Sequence, residues 1–153
     1  MTRGGRPIVV PLDGSAVAEA ALPVALEMAA LPKVELTFLH VIEPPERVIG
    51  DRERTAIDQQ WETEKRRACE YLDSLRSRPE WQVCDVEIAV EIGKPAETIL
   101  AFADAYRAAY IVMSTHGRSG VRRLMYGSVA DKVLRAARTT VVLVRAGHPG
   151  ERV

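Results

Sequence analysis

The feature that most constrains the fold is an alternation of short apolar runs with helical patterns along the chain. Five runs have the length and composition of β-strands, at residues 8–12, 34–42, 83–92, 110–113 and 141–144. Strands that alternate with helices are typical of α/β domains, because the connection between two parallel strands has to cross back over the sheet. The sequence therefore predicts an α/β fold with a largely parallel sheet.

Four helical patterns lie between these runs. In the first, apolar residues recur at helical spacing from Ala18 to Ala29, and Ser15 is placed to cap the helix. Pro23 lies inside this pattern and removes a backbone hydrogen bond, so we expect a kink there. The other patterns cover residues 57–75, residues 96–103 with Pro95 in the first turn, and residues 130–137. Residues 43–52 contain two prolines and a glycine and are predicted to form a loop.

The polarity of the strands predicts their order in the sheet. The third strand alternates, with Cys84, Val86, Ile88, Val90 and Ile92 on one face and acidic residues on the other. A half-solvated strand fits an edge position, whereas the first and fourth strands are apolar throughout and fit the centre. We therefore expect a five-stranded parallel sheet of order 3-2-1-4-5 with helices on both faces, in the Rossmann-like manner. In such sheets ligands bind at the carboxyl ends of the strands where the winding reverses, here between strands one and four.

Composition narrows the classes of protein. The 153 residues fit one domain, taken as residues 1–153, and 21 basic residues balance 21 acidic ones. Neutrality argues against an extended nucleic-acid or membrane surface. No apolar run reaches membrane-span length and the first residues lack the apolar core of a secretory signal, so we expect a cytoplasmic protein.

The cysteines and histidines lack the spacing of a metal or disulfide site. Cys69 and Cys84 are predicted to be small core residues, and His40, within strand two, a core histidine with its hydrogen bonds satisfied. His116 and His148 add no metal-ligand pattern. No metal site is predicted.

Polar and glycine residues follow strands one and four. Asp13-Gly14-Ser15 ends the first run, and after the fourth come Ser114-Thr115-His116-Gly117-Arg118-Ser119-Gly120 and then Gly127-Ser128-Val129 at the start of a helix. Glycine allows close backbone approach, and a helix start attracts anions. Ser128 is a candidate cap for that helix, and Arg118, Arg122 and Arg123 add positive charge. This pattern indicates a phosphate site; alternatively, the glycines only permit turns and the arginines form a solvated face.

Several catalytic motifs are missing. Neither a G-x-G-x-x-G dinucleotide motif nor a phosphate-binding P-loop motif occurs. Asp13, His116 and Ser128 could be assembled into a hydrolytic triad, but the G-x-S-x-G elbow of such enzymes is absent. Asp13 is the carboxylate of greatest interest, although a strand-end aspartate also caps the turn that follows it.

These residues resemble the universal stress protein family. The resemblance is carried by Val10-Pro11-Leu12-Asp13-Gly14-Ser15, His40-Val41-Ile42, Gly93-Lys94-Pro95-Ala96 and Ser114-Thr115-His116-Gly117 with nine residues to Gly127-Ser128. It implies a five-stranded parallel sheet of the adenine nucleotide alpha hydrolase type, usually in a dimer. One branch of the family binds ATP through G-x-x-G, nine residues, then G followed by Ser or Thr. Ser114 replaces the first of these glycines, while Gly117, Gly127 and Ser128 match.

The resemblance also implies a set of ligand-binding residues. ATP or a related adenine nucleotide would bind with Mg²⁺ on its phosphates, without an evident general base for fast catalysis. The base and ribose would lie near Pro11, Asp13 and Val41. The ribose and phosphates would lie near Ser114, Thr115, His116, Gly117, Arg118, Gly127, Ser128 and Val129.

Two other functions stay open at this point. One is a dimeric interaction module that holds AMP, cyclic AMP or no nucleotide and pairs through residues 139–144, a segment that begins with Thr139 and ends with Val144. An apolar edge strand of this kind is a liability unless it is covered, which favours a homodimer. The other is a small hydrolase that uses Asp13 and His116, whose turnover would vanish in His116→Ala. In all three cases we expect no nucleic acid and no membrane as partner.

Overall fold

Five parallel strands form one sheet in the order β3-β2-β1-β4-β5. The computed structural model describes residues 5–44, 51–115 and 127–147. Within them the strands are β1 Arg6–Pro11, β2 Val34–Ile42, β3 Val86–Ile92, β4 Tyr110–Thr115 and β5 Thr140–Arg145. All four neighbouring pairs are parallel, with β1 between β2 and β4. The predicted fold class and strand order are confirmed.

Helices cover both faces of this sheet. They are α1 Ala16–Glu19, α2 Leu22–Ala29, α3 Asp51–Arg76, α4 Pro95–Ala105 and α5 Ser128–Ala136, with a 3-10 helix at Pro79–Val83. Buried side chains of α2 and α3 form one core cluster with the sheet, and those of α4 and α5 form a second on the opposite face. None of the helices in the described part of the chain is long and apolar enough to cross a membrane.

Proline 23 breaks the first helical pattern instead of kinking it. α1 ends at Glu19, and α2 begins at Leu22 with Pro23 in its first turn. The proline ring clashes with the carbonyl four residues earlier, which is that of Glu19, whereas a helix start tolerates proline because its N–H would be unpaired there. The predicted single kinked helix is therefore two short helices. Ser15 caps α1 as predicted, because its Oγ accepts from the Ala18 N–H at 3.1 Å.

The third strand starts later than its apolar alternation suggested. Residues 79–83 form the 3-10 helix, and β3 begins at Val86. Trp81 in that helix is buried and packs edge-on against Phe38 of β2, with ring centroids 4.9 Å apart. Burial of this large ring favours the helical turn over three more residues of strand. Glu87 and Glu91 are exposed on β3, which lies at the sheet edge as predicted.

Three further predictions are corrected. The loop expected over residues 43–52 ends earlier, because Asp51 and Arg52 already belong to α3. Cys69 is exposed, although its neighbour Ala68 is buried, and Cys84 is half-buried. Cys69 is therefore not a core residue, and Cys84 lies only at the margin of the core.

Helix α3 is joined to α1 by polar side chains. The Tyr71 hydroxyl donates to Glu19 Oε1 at 3.1 Å, and Arg78 Nη2 donates to Glu19 Oε2 at 3.4 Å. The ring of His40 lies edge-on to that of Tyr71, with centroids 6.2 Å apart. His40 Nδ1 is buried without a hydrogen-bond partner among the described residues, so the predicted satisfied histidine is wrong.

The buried face of α3 should contribute strongly to stability. Leu72 is fully buried, at 0% exposure, and we expect Leu72→Ala to lower the free energy of unfolding by about 2 to 5 kcal/mol, because a cavity remains in the core. Leu134→Ala is the matched control, since Leu134 is 40% exposed, and its loss should stay below about 1 kcal/mol. Urea unfolding followed by circular dichroism measures both values. Equal losses in the two variants would contradict this account of the core.

Tyr71 should make stability depend on pH in the alkaline range. Burial, followed by the charge and the hydrogen bond of Glu19, raises the pKa of the Tyr71 phenol well above its ordinary value of 10.0. Below pH 10 the Tyr71 phenol is mostly protonated in both the folded and the unfolded chain. Above pH 10 it ionises readily only in the unfolded chain. The stability advantage of the wild type over Tyr71→Phe should therefore stay constant between about pH 7 and 9 and shrink above about pH 10.

Urea unfolding at each pH measures this difference. Tyr106→Phe controls for the loss of a phenol elsewhere, because Tyr106 is 49% exposed and stacks on Phe102, far along the chain from α1. A difference between wild type and Tyr71→Phe that does not change up to pH 11 would contradict the burial and bonding assigned to Tyr71.

Candidate functional site

A cavity of about 520 Å³ lies at the carboxyl ends of β1 and β4. Its volume falls in the range of small-molecule sites, and it stands at the reversal of winding where such sheets bind ligands. Residues from the ends of β1, β2 and β4 and from α1, α4 and α5 line it. The described lining residues are Pro11, Leu12, Asp13, Ser15, Val17, Ala18, Leu39, Val41, Glu43, Pro95, Ile99, Met113, Ser114, Thr115, Gly127, Ser128, Val129 and Ala130.

The turn after β1 is built by an aspartate. Asp13 Oδ1 accepts from the Ser15 backbone N–H at 2.9 Å and from the Ser15 hydroxyl at 2.6 Å. Gly14 lies between them at a φ of +85°, a conformation that favours glycine. Asp13 therefore shapes the turn, as its alternative interpretation held, and it still lines the cavity as an exposed carboxylate.

Opposite this turn, the end of β4 supplies Ser114 and Thr115. The Ser114 hydroxyl donates to the backbone carbonyl of Val17 in α1. Thr115 is buried, and its carbonyl accepts from the Ala146 N–H at 3.1 Å, beyond the end of β5. Ser114 is therefore engaged in a contact across the cavity wall.

The side of the cavity formed by β2 and α4 is mainly apolar. Leu39 and Val41 come from β2, and Ile99 comes from the first turns of α4, which begins at Pro95. Leu39 and Ile99 are buried in the core cluster on this face of the sheet. Glu43, just beyond β2, adds a carboxylate at the rim.

The start of α5 forms the last part of the wall. Gly127 occupies the N-cap position and Ser128 is the first helical residue, so the prediction that Ser128 caps the helix is wrong. The first-turn N–H groups of a helix have no partner within the helix, and they carry the positive end of its dipole. The cavity is therefore open to the anion-binding end of a nine-residue helix.

The structure brings together eight of the predicted ligand-binding residues around one cavity. They are Pro11, Asp13, Val41, Ser114, Thr115, Gly127, Ser128 and Val129. His116, Gly117 and Arg118 lie outside the described residues, as do Arg122, Arg123 and His148.

Sequence reasoning missed several wall residues. Ala18 was assigned only to a helix face and Glu43 only to a loop, and Val17 was not singled out. Leu39, Ile99 and Met113 are buried core residues whose chemistry carries no ligand signal. The signal that could have found them is topological, because residues at or just past a strand end share one edge of the sheet.

The charges of the described lining are few. Asp13 and Glu43 are its ionisable side chains, and both belong to the side of β1 and β2. Among the described residues no cluster of three or more His, Cys, Asp or Glu side chains could hold a metal ion. A bound cation would therefore depend on oxygen atoms of the ligand for much of its coordination.

Comparison with known proteins agrees with this architecture. A universal stress protein of Methanocaldococcus jannaschii is 30% identical over 142 residues, covering 90% of this chain and 81% of its own length. The universal stress protein YxiE of Bacillus subtilis is 28% identical over 146 residues, covering 90% and 97%. The solved structure of UspA from Lactobacillus plantarum superposes with a TM-score of 0.73 at 23% identity, covering 92% of this chain and 97% of that one.

The family model covers nearly the same part of the chain as the described fold. The model of the universal stress protein family matches residues 5–145, which run from the start of the sheet to the end of β5. The strand order, the cavity at the winding reversal and the glycine at the start of α5 all lie within this match. The chain belongs to the universal stress protein family.

Proposed function

We propose that this protein binds an adenine nucleotide, ATP with Mg²⁺ on its phosphates, and acts as a cytoplasmic sensor or switch in a stress response. The observation that carries the proposal is the composition of the cavity wall. One cavity combines an apolar side, suited to a base, with the start of a helix, suited to phosphate. Few other metabolite classes match both requirements.

The distribution of charge gives the nucleotide an orientation. Asp13 and Glu43 lie on the side of β1 and β2, where they would repel phosphates, and a carboxylate there can accept from ribose hydroxyls. The N-terminus of α5 lies on the side of β4, where its free N–H groups favour negative charge. The base and ribose therefore lie toward Val41, and the phosphates lie toward Gly127 and Ser128.

Structural relatives support the class of ligand. Universal stress proteins that superpose on this chain have been solved in complex with cAMP and, in the Archaeoglobus fulgidus protein, with dAMP. A family member from Arabidopsis thaliana has been solved with AMP bound. Their TM-scores are 0.60, 0.57 and 0.64. The ligands of these relatives share an adenine base, and the apolar side of the cavity in this chain is suited to such a base.

The residues present fit Mg²⁺ only as a partner of the phosphates. Mg²⁺ in nucleotide sites is held by phosphates and waters together with one or two carboxylates, and Asp13, a carboxylate of the described lining, lies on the ribose side and not beside the phosphates. The ion would therefore be held mainly by phosphate oxygens and water. When bound, the ion neutralises phosphate charge. Asp13 Oδ1 already accepts twice from Ser15, so only its second oxygen is free of those bonds.

Binding, rather than fast catalysis, is the activity that the described residues support. A general base has to lie beside the atom that reacts, and the phosphate side of the described lining offers the hydroxyls of Thr115 and Ser128 but no carboxylate or imidazole. A nucleotide that stays bound without rapid turnover can report its own concentration. That property suits a sensor.

A second candidate function rests on the edge strand β5. Val141, Val142, Leu143 and Val144 are all half-buried, and the strand ends the sheet. The opposite edge, β3, exposes Glu87 and Glu91, which discourage pairing with another strand. The unprotected β5 favours a homodimer that pairs through Thr140–Arg145, and such a dimer could act as an interaction module whatever its ligand.

Nucleotide binding should depend on the space at the start of α5. In calorimetric titrations of ligand-free protein, we expect Mg-ATP to bind with micromolar or tighter affinity, about −8 kcal/mol. Gly127→Val should abolish this signal, because a branched side chain blocks close approach of phosphate to the backbone. Gly147→Val is the matched control, since Gly147 does not line the cavity and an added Cβ there meets nothing within 4 Å.

Parallel titrations with AMP and cAMP separate the candidate functions. Tighter binding of AMP or cAMP than of ATP would support the nucleotide site but assign it a different ligand. Silence for all three nucleotides in folded, ligand-free protein would contradict the nucleotide site and favour the interaction module. Affinity unchanged in Gly127→Val would contradict the placement of the phosphates.

Pairing through the β5 edge should be visible in the molecular mass of the protein in solution. At micromolar concentration, light scattering should give twice the 16.9 kDa of the chain, because the apolar edge gains backbone partners in a dimer. A charged substitution at the half-buried Val142 should shift the mass toward the monomer, whereas Glu87→Lys on the opposite edge should not. A wild-type monomer under these conditions would contradict the dimer.

A further inference from the structure

Helix α1 is a wall of the cavity that burial alone does not hold. It has four residues, none of which is buried, and isolated helices of this length are unstable in water. Val17 and Ala18 nevertheless line the cavity. Ala18 is partly buried against the core cluster, so the position of α1, and with it the shape of the site, depends on this packing together with contacts that its polar groups make with other elements.

Two elements hold α1 from different directions. From the sheet, the Ser114 hydroxyl of β4 donates to the Val17 carbonyl. From the second element, α3, the Tyr71 hydroxyl donates to Glu19 Oε1 at 3.1 Å. Both donors are half-buried, where a hydrogen bond competes less with water than at the surface.

A third polar contact between α1 and another part of the fold is weaker. Arg78 and Glu19 form an ion pair at 3.4 Å whose side chains are 43% and 27% exposed. Exposed pairs of this kind contribute little, because both ions are well hydrated when they are apart. Among these three polar contacts of α1, those of Ser114 and Tyr71 are therefore the stronger ones.

We propose that Ser114 and Tyr71 are positioning residues of the nucleotide site, and that their hydroxyls hold α1 against the cavity and so set the affinity for the ligand. This inference rests on the proposed function. If α1 is already in place, no free energy is spent on ordering it when the ligand binds. If α1 is in place in only a fraction of the molecules, the apparent affinity for the ligand is reduced by that fraction.

The replacement of glycine by Ser114 acquires a role in this account. Glycine has no hydroxyl and could not donate to Val17, so this chain holds α1 with a bond that the glycine pattern lacks. Because the Ser114 hydroxyl is already engaged with Val17, it contributes to the site by holding the wall and not by donating to the ligand. Ser114→Ala removes the bond and keeps the Cβ, which separates the hydroxyl from the space that the side chain occupies.

The test combines nucleotide titration with amide exchange. In Ser114→Ala and in Tyr71→Phe we expect Mg-ATP or AMP, whichever the wild type binds, to bind about three- to tenfold more weakly, the effect of losing one hydrogen bond. In the ligand-free variants the amides of Ala16–Glu19 should exchange faster than in the wild type, while those of β1 should not. Ser77→Ala and Tyr106→Phe, which remove the same groups away from α1, should leave both measurements unchanged.

Glu19 gives a conservative variant for the same bond. Glu19→Gln keeps an oxygen that accepts from Tyr71 while removing the charge that pairs with Arg78, so its affinity should stay near that of the wild type. Glu19→Ala removes the acceptor and should match Tyr71→Phe. A Glu19→Gln variant that loses as much affinity as Glu19→Ala would overturn the assignment to Tyr71.

The possible failures can be told apart. Wild-type protein that binds nucleotide while Ser114→Ala and Tyr71→Phe bind equally well would overturn the positioning role and leave the proposed function standing. Weaker binding with unchanged exchange in Ala16–Glu19 would also overturn it, because the hydroxyls would then act on the ligand directly. Absence of nucleotide binding by the wild type would overturn the proposed function and this inference with it.

Discussion

The structure depends on the central position of β1, which pairs in parallel with β2 and β4. The helices that follow β1 and β4 pack on opposite faces of the sheet. After β1 the chain forms α1 and α2, and α2 packs with α3 in one core cluster. On the other face of the sheet, α5 packs beside α4. Because the helices that follow β1 and β4 pack on opposite faces, a gap remains among the described residues between the carboxyl ends of these two strands. The cavity is this gap, and its walls are the first residues of the segments that leave it.

The strand order could be predicted because it depends on burial, which the residues record directly. Glu87 and Glu91 mark an edge strand, and the unbroken apolar runs mark the centre. The errors arose where a tertiary contact outweighed a local pattern. Packing of Trp81 on Phe38 favours a 3-10 helix that includes Val83, the first residue of the predicted strand. Cys69 lies one residue out of phase with the buried stripe of α3 at Ala68 and Leu72.

The site was predictable in its location but not in its mechanics. Topology located the strand ends, and family resemblance supplied residues such as Val41 and Gly127 that line the cavity. Neither source indicates where a hydroxyl points. The bond from Ser114 to Val17 joins residues that are 97 positions apart, and the bond from Tyr71 to Glu19 joins residues that are 52 apart. Such contacts follow from the packed fold and leave no periodic trace in the sequence.

Under the positioning proposal, the stability of the sheet and the affinity for a ligand depend mainly on different groups. Leu72 and Phe38 hold the sheet to its helices through buried apolar surface, and the loss of such a residue affects the whole fold. α1 has no fully buried residue, so we expect weakening of its attachment to cost the fold less than the loss of a core side chain such as Leu72. A wall held by two separable hydrogen bonds can therefore be loosened or tightened by single substitutions while the sheet stays intact. In a fold with this division, the proposed role of Ser114 concerns ligand binding and not the architecture of the sheet.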